Sequence, residues 1–176
     1  KKIKLATARM IEHEKTTGIS FDKVFVFPQG VFSVQAMDML KKNNYLAAVN
    51  TEAIPVNAFF NLTISDYIQT PILQYGGFPL FVRRYPDNIT YFAFDFFFGK
   101  PAFIVIHHDY LKNGYEKLID FVSKINSLSN NIKWDGLENI VSKFIINEMD
   151  DTSVPGTDQR GFRETGCIEN MKILMR

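Results

Sequence analysis

Phe103-Ile104-Val105-Ile106-His107-His108-Asp109-Tyr110 is the stretch that decides the fold. Its apolar first half is typical of a parallel strand that helices cover on both faces. Two of the three histidines in the chain follow this run directly. In α/β sheets and barrels, the functional groups lie at the carboxyl ends of the strands. The stretch therefore predicts an α/β protein with reactive side chains at the end of a buried strand.

Strands and helices are predicted to alternate along the chain, which favours parallel pairing through right-handed crossovers. Hydrophobic periodicity predicts helices at Lys2 to Thr17, Val34 to about Asn43, Ile89 to Phe98, Tyr115 to Leu128 and Trp134 to Ile146. Strands are predicted at Phe21 to Phe27, Tyr45 to Asn50, Phe78 to Arg83 and Phe103 to Ile106. Ser33 is the predicted N-cap of the second helix, and Gly76-Gly77 marks a turn. A long irregular piece from Thr51 to Gln74, with a short helix near Ser65 to Ile72, separates the second and third strands.

The length of 176 residues favours one domain. Four strand and helix units form either a small open sheet or part of a larger barrel, since a closed barrel usually needs about 250 residues. We favour the second interpretation, part of a larger (β/α) barrel. Residues 1–147 form the barrel segment, incomplete on its N-terminal side. Residues 148–176 are a polar tail or linker in which Met171 to Met175 begin another strand.

Composition excludes several classes of function. Lys and Arg exceed Asp and Glu by one, 20 against 19, so no broad field favours nucleic acid as a partner. The single cysteine, Cys167, excludes a disulfide framework within the chain. The apolar run from Tyr91 to Ile106 is interrupted by Asp95 and Lys100, so no transmembrane segment is predicted. The compartment stays open between the cytoplasm and export from a bacterial cell.

Three segments carry a resemblance to a known family: Val24-Phe25-Val26-Phe27-Pro28-Gln29-Gly30, Tyr45-Leu46-Ala47-Ala48-Val49-Asn50-Thr51 and Ile104-Val105-Ile106-His107-His108-Asp109. In this order they resemble the second half of a polysaccharide deacetylase, the carbohydrate esterase with a NodB-like distorted (β/α) barrel. The likeness covers roughly Ser20 to Leu128 and rests on short motifs. It implies metal-assisted hydrolysis of N-acetyl groups on a polysaccharide, with a glycan as substrate.

The resemblance assigns roles to residues of two motifs. Pro28, Gln29 and Gly30 fill a motif that lines the site, and Ile106-His107-His108 fills the motif whose second histidine is the general acid. Val26 stands where the family has arginine, and Gln29 replaces an aromatic residue. The family's base aspartate and its His-x-x-x-His metal pair belong to the first half of the barrel. Zinc is therefore implied, but its ligands are not identifiable here.

The partner implied is the remaining half-barrel or a second copy of the chain in a homo-oligomer. Since the metal ligands would lie outside this chain, we expect the isolated 176 residues to lack deacetylase activity. The aromatic helix from Tyr91 to Phe98 is predicted as core or interface, covered on both sides, which agrees with a missing half or a partner chain.

The histidines are the strongest candidates for catalysis. Neighbouring strand residues face opposite ways, so only one of His107 and His108 is expected to enter a given pocket. The family match selects His108 as the catalytic acid, and Asp109 could orient a histidine. His107 is then a substrate-binding candidate. The alternative is a capped strand end without function, with Asp109 as a solvated loop acid.

Polar residues at the other strand ends are the candidates for substrate binding. Strand alternation allows one of Arg83 and Arg84 to point inward and bind an acidic group, while a surface pair is the alternative. Asn50 and Thr51 could bind sugar hydroxyls, although turn formation explains them equally well. No metal ligand is assigned.

Two other functions are open. A non-catalytic barrel relative that binds glycans or scaffolds an assembly is suggested by Val26 and Gln29 at positions where catalytic support is expected. A glycoside hydrolase would need two carboxylates that flank one pocket. Only Glu52 and Asp109 follow strand ends, so this possibility ranks third.

Overall fold

The computed structural model describes residues 2–56, 73–151 and 170–175, and side chains within 2–56 and 73–146. The short helix predicted near residues 65–72 lies outside the described residues. Backbone contacts divide the chain into two compact units, Lys1–Val82 and Arg83–Arg176. In both units parallel strands alternate with helices, which confirms the predicted α/β class.

The first unit contains three parallel strands and a short antiparallel one. Its elements are α1 (Lys2–Thr17), β1 (Val24–Val26), α2 (Val34–Lys41), β2 (Ala47–Asn50), β3 (Leu73–Tyr75) and β4 (Phe78–Arg84), of which β4 belongs to this unit as far as Val82. Strand β2 pairs in parallel with β1 and with β4. Strand β3 pairs antiparallel with β4 through Gly76 and Gly77, both with positive φ, as a two-residue hairpin requires. The sequence predicted that turn but not the strand before it.

Helix α2 supplies much of the core of the first unit. Its predicted N-cap is confirmed, because Ser33 Oγ accepts a hydrogen bond from Ala36 N. Met37 and Leu40 of α2 are completely buried. They belong to a cluster that also contains Phe27, Phe32, Ala48, Leu73, Tyr75, Phe78 and Leu80. All four residues of β2 are buried, so this strand is central to the first unit.

The second unit begins with the last two residues of β4. It continues with α3 (Ile89–Phe97), β5 (Ala102–Ile106), α4 (Glu116–Asn126), β6 (Lys133–Trp134), α5 (Leu137–Asp151) and β7 (Asn170–Met175). Strand β5 pairs in parallel with Arg83 and Arg84 of β4 and, along its whole length, with β7. Strand β6 pairs in parallel with β7. The strand predicted from Met171 to Met175, within the segment predicted as a polar tail, is confirmed as β7.

One cluster of the core of the second unit lies on one face of β5. Phe92 and Phe96 of α3 and Phe121 and Ile125 of α4 pack against Ala102, Ile104 and Ile106. The opposite face of α3 carries Tyr91, Phe94 and Phe97, which are all exposed. The aromatic helix was expected to be covered on both sides, and the structure buries one side only. Its other face points away from the strand against which it packs.

Candidate functional site

The strand ends of the first unit are tied together by one buried amide. A short 3-10 turn, Pro28–Gly30, follows β1 closely, and both Gln29 and Gly30 have positive φ. Asn50, the last residue of β2, is completely buried. Its Nδ2 donates to Gly30 O at 2.8 Å and to Glu52 O at 2.9 Å. The candidate residues Gly30 and Asn50 therefore meet in the structure.

The hydrogen bonds of Asn50 define the orientation of its amide. Both Nδ2 hydrogens are used on carbonyl oxygens, and a flipped amide would turn Oδ1 toward those oxygens. Asn50 Oδ1 is buried and has no hydrogen-bond partner among the residues that the structure describes. A Cβ atom at Gly30 would lie 2.6 Å from Thr51 Oγ1 and 3.9 Å from this oxygen. Glycine is thus required here by its backbone conformation and by space.

The side chains around this amide are accessible. Pro28, Gln29 and Glu52 are exposed, and Thr51 is partly buried. Of the predicted substrate-binding residues in this unit, Pro28 and Gln29 can thus meet a ligand without rearrangement. Gly30 and Asn50 instead hold the turn in place.

The two arginines at the end of β4 pair with the middle of β5, before the carboxyl end of that strand. The register pairs Arg84 with Ile104, two residues before β5 ends. Arg84 donates from Nε and Nη2 to the carboxylate of Asp95 on α3, at 2.7 and 3.0 Å. Its guanidinium also lies 5.5 Å from the ring centre of Tyr91. Arg83 is only 2% exposed. Arg84 therefore joins β4 to α3.

Burial changes the acidity of two groups near this region. Desolvation lowers the pKa of Lys100, although the carboxylate of Asp95 opposes this shift. Burial, assisted by the charges of Asp120 and Asp87, raises the pKa of the Tyr110 phenol. The positive charge of Arg84 also lowers the pKa of Lys100, so this shift belongs to the packing around the Arg84 and Asp95 pair.

His107 is held by an aromatic neighbour that the sequence analysis did not select. It follows β5 directly, and Tyr85 follows β4 directly. The hydroxyl of Tyr85 lies 2.9 Å from His107 Nε2. The two rings are nearly parallel, with an interplanar angle of 17° and centroids 5.6 Å apart. The sequence could have indicated this contact only through position, because each of the two residues is the first one after a parallel strand.

His108 and Asp109 are far more exposed. They begin a 3-10 turn, His108–Leu111, that is closed by a hydrogen bond from Tyr110 N to His107 O at 2.9 Å. His108 Nε2 lies 3.4 Å from Asp109 Oδ1, and the two side chains are 83% and 77% exposed. The predicted partnership of these residues is therefore a long, solvated contact. It is an ion pair only when the imidazole is protonated.

The described residues do not fit a zinc site. No three His, Cys, Asp or Glu side chains among them come close enough together to hold a metal ion. The carboxylates that a glycoside hydrolase would need, Glu52 and Asp109, belong to different units. Within the described part of the chain, no helix has the length and apolar character needed to cross a membrane.

Comparison with known proteins leaves the family open. No protein-family model, no curated protein and no solved structure matches this chain. The α/β class is therefore established by the strands and helices themselves. The deacetylase family rests on the motif resemblance alone.

Proposed function

We propose that this chain is a carbohydrate deacetylase-like domain, part of a distorted (β/α) barrel that acts on N-acetyl groups of a polysaccharide. The observation that carries the proposal is the position of its polar motifs. In the first unit, Pro28–Gly30 and Asn50 lie at or just beyond the carboxyl ends of β1 and β2, which pair in parallel with each other. In the second unit, His107 directly follows β5, which pairs in parallel with β7. Barrel enzymes place their working groups at these strand ends.

Each candidate has a role that its surroundings allow. Gln29 offers an exposed amide for sugar hydroxyls, while Gly30 and Asn50 hold the turn that presents it. His108 is the general acid toward the leaving amine, because its imidazole is accessible at the end of β5. Asp109 Oδ1 lies 3.4 Å from His108 Nε2 and can orient the imidazole.

The metal of the proposed reaction is not assigned to this chain. The described side chains do not form a zinc site, so no step of the reaction is derived through a metal here. Its ligands would come from the complementary part of the barrel. The isolated chain is therefore expected to bind glycan without hydrolysing it.

The test combines an activity assay with a binding assay. The isolated chain is incubated with added zinc and an N-acetylglucosamine oligomer, and release of acetate and free amine is measured. We expect binding of the oligomer but no release. Robust turnover would contradict the placement of the metal site outside this chain, and absence of binding would contradict the glycan function.

A pair of glutamine variants adds specificity to the binding assay. Gln29→Ala removes the exposed amide at the end of β1, and we expect a severalfold weaker affinity, since one hydrogen bond is worth about 1 kcal/mol. Gln74→Ala removes an equally exposed amide from β3 and is expected to leave the affinity unchanged. Equal affinities for the two variants would remove Gln29 from the proposed site.

A second candidate is a non-catalytic glycan-binding or scaffolding relative. It is favoured by Val26, which stands where the family has arginine, and by the internal partner of Arg84, which is engaged with Asp95. The two candidates differ in what the gene encodes upstream of Lys1. An acidic strand end with a His-x-x-x-His pair in the same reading frame supports the enzyme, and their absence supports the binding module.

A further inference from the structure

Tyr85 and His107 are exposed side chains of the second unit whose rings contact each other. The backbone of His107 is fixed on both sides, by the buried strand β5 and by the turn that Tyr110 N closes on His107 O. The imidazole is fixed in turn by its contact with the Tyr85 hydroxyl at 2.9 Å. A ring held in this way meets a ligand with little loss of conformational entropy.

We propose that His107 contacts the bound glycan through Nδ1 and that Tyr85 is its positioning residue. This inference rests on the proposed function and assigns the binding and the catalytic roles to different histidines. The Tyr85 contact occupies Nε2, so Nδ1 is the ring nitrogen that remains for a ligand. His108, which has no such aromatic neighbour in the contacts described, keeps the role of acid.

The chemistry of the pair defines the kind of group that it recognises. When the Tyr85 hydroxyl donates to Nε2, the neutral imidazole carries its proton on Nδ1 and is a hydrogen-bond donor there. When Nε2 donates to the phenol oxygen, Nδ1 is an acceptor. Either tautomer suits a neutral polar group, and the donor form matches the carbonyl oxygen of an acetamido substituent. The direction of the hydrogen bond with the phenol is therefore coupled to the tautomer of His107 and to whether Nδ1 donates or accepts.

Stability alone does not explain the pair. Tyr85 is 40% exposed and His107 is exposed, so their hydrogen bond competes with water and adds little to the free energy of folding. The partly buried Arg84 and Asp95 pair beside it already joins β4 to the helix that follows. The exposed imidazole at the end of β5 is accessible to a ligand.

The experiment uses the full chain, an N-acetylglucosamine oligomer and nuclear magnetic resonance. His107→Gln keeps an amide near the position of Nε2 but has no counterpart of Nδ1, whereas His107→Asn places its amide near Nδ1. We expect roughly tenfold weaker binding for His107→Gln and partial recovery for His107→Asn. The matched control is His13→Gln, since His13 is an exposed histidine of α1 outside the proposed site, and its affinity is expected to stay within about twofold of the unaltered chain. His108→Gln is measured beside it.

The positioning role of Tyr85 has a readout that does not depend on glycan. The nitrogen chemical shifts of the His107 ring report its tautomer, and we expect Tyr85→Phe to change them while His108→Gln does not. Thermal unfolding of each variant, monitored by circular dichroism, shows whether the fold is retained. Tyr85→Phe keeps the aromatic ring, so a change of tautomer in a folded variant reports the lost hydroxyl.

The outcomes separate this inference from the proposed function. If the unaltered chain does not bind the oligomer, the glycan function and the His107 contact are both overturned. If it binds and His108→Gln is the more damaging variant, only the assignment of His107 is overturned. If the His107 tautomer is the same in Tyr85→Phe, the positioning role of Tyr85 is overturned, whatever the affinities are.

Discussion

The strand ends of the two units use polar side chains in opposite ways. In the first unit Asn50 is completely buried, and its amide binds the backbone oxygens of Gly30 and Glu52. In the second unit Tyr85 and His107 are exposed, and they contact each other rather than the backbone. A buried polar group that loses its partners destabilises the fold, whereas an exposed one turns to water. The polar group at the strand ends of the first unit therefore stabilises the fold, whereas the polar groups of the second unit are available to bind a ligand.

This difference predicts how substitutions divide. Changes at the buried edge should lower the free energy of unfolding, and changes at the exposed edge should alter binding with little effect on stability. Each prediction below tests one side of that division, and the first three substitutions each have a control of the same residue type in a more open environment.

Asn50→Asp should have the largest effect on stability. The change replaces the donating amide by an oxygen that faces two carbonyl oxygens, in a site without solvent. An uncompensated buried charge lowers the free energy of unfolding by about 3–5 kcal/mol. The measurement is urea unfolding of the variant and the unaltered chain at neutral pH.

The pH dependence of Asn50→Asp gives a second check. Burial beside two carbonyls would raise the folded-state pKa of the new carboxyl above its unfolded value, so the folded state binds more protons. Stability is then fully present below the unfolded pKa and is lost as pH rises, which makes the defect smaller at about pH 4 than at about pH 7. The control is Asn126→Asp, because Asn126 is exposed and its Oδ1 only accepts a bond from Trp134 Nε1. A defect of equal size in both variants would contradict the buried amide.

Gly30→Ala should have the next largest effect on stability. A φ of 72° costs a non-glycine residue roughly 1–2 kcal/mol, and the new Cβ would also lie 2.6 Å from Thr51 Oγ1. With this clash we expect a loss of about 2–4 kcal/mol in the free energy of unfolding. Gly18→Ala is the matched control. Gly18 also has a φ of 72°, but a Cβ atom added there would have no neighbouring atom within 4 Å. Equal losses would show that the close approach of Thr51 contributes nothing.

Asp95→Asn tests the ion pair between Arg84 and Asp95. Among the ion pairs described in the second unit, this one is the most shielded from water. Arg84 binds both carboxylate oxygens, and hydrogen bonds to charged groups contribute about 1.5–3 kcal/mol. We expect a loss in this range, measured by urea unfolding. Asp120→Asn removes an exposed pair with Lys124 on α4 and should cost about 0.3–0.5 kcal/mol. A loss of similar size in both variants would show that the Arg84 and Asp95 pair is as solvated as the exposed pair on α4.

The features that the sequence predicted correctly are those that nearby residues determine. The N-cap Ser33 and the apolar residues that follow it predict α2 without reference to the rest of the chain. The run from Phe103 to Ile106 contains only apolar residues, and the structure buries every residue of β5. Parallel pairing follows from the alternation of strands and helices, and it is confirmed for β1, β2, β4 and β5.

The features that the sequence did not predict depend on residues far apart in the chain. Trp134 was predicted to begin a helix, but Lys133–Trp134 pairs with β7 and the helix begins at Leu137. The partner of Trp134 is Met171, in the strand β7 that the sequence predicted without its pairing partners. In the same way, the contact of Tyr85 with His107 depends on the register between β4 and β5, which no local pattern encodes.

His108→Gln should have the smallest effect on stability of the variants considered. Its side chain is 83% exposed, and its contact with Asp109 is long and solvated. Surface substitutions of this kind change the free energy of unfolding by no more than about 0.5 kcal/mol. We expect urea unfolding curves that coincide with those of the unaltered chain. A larger loss of unfolding free energy would mean that the ring of His108 is packed in solution. His108 would then stabilise the fold, as Asn50 does.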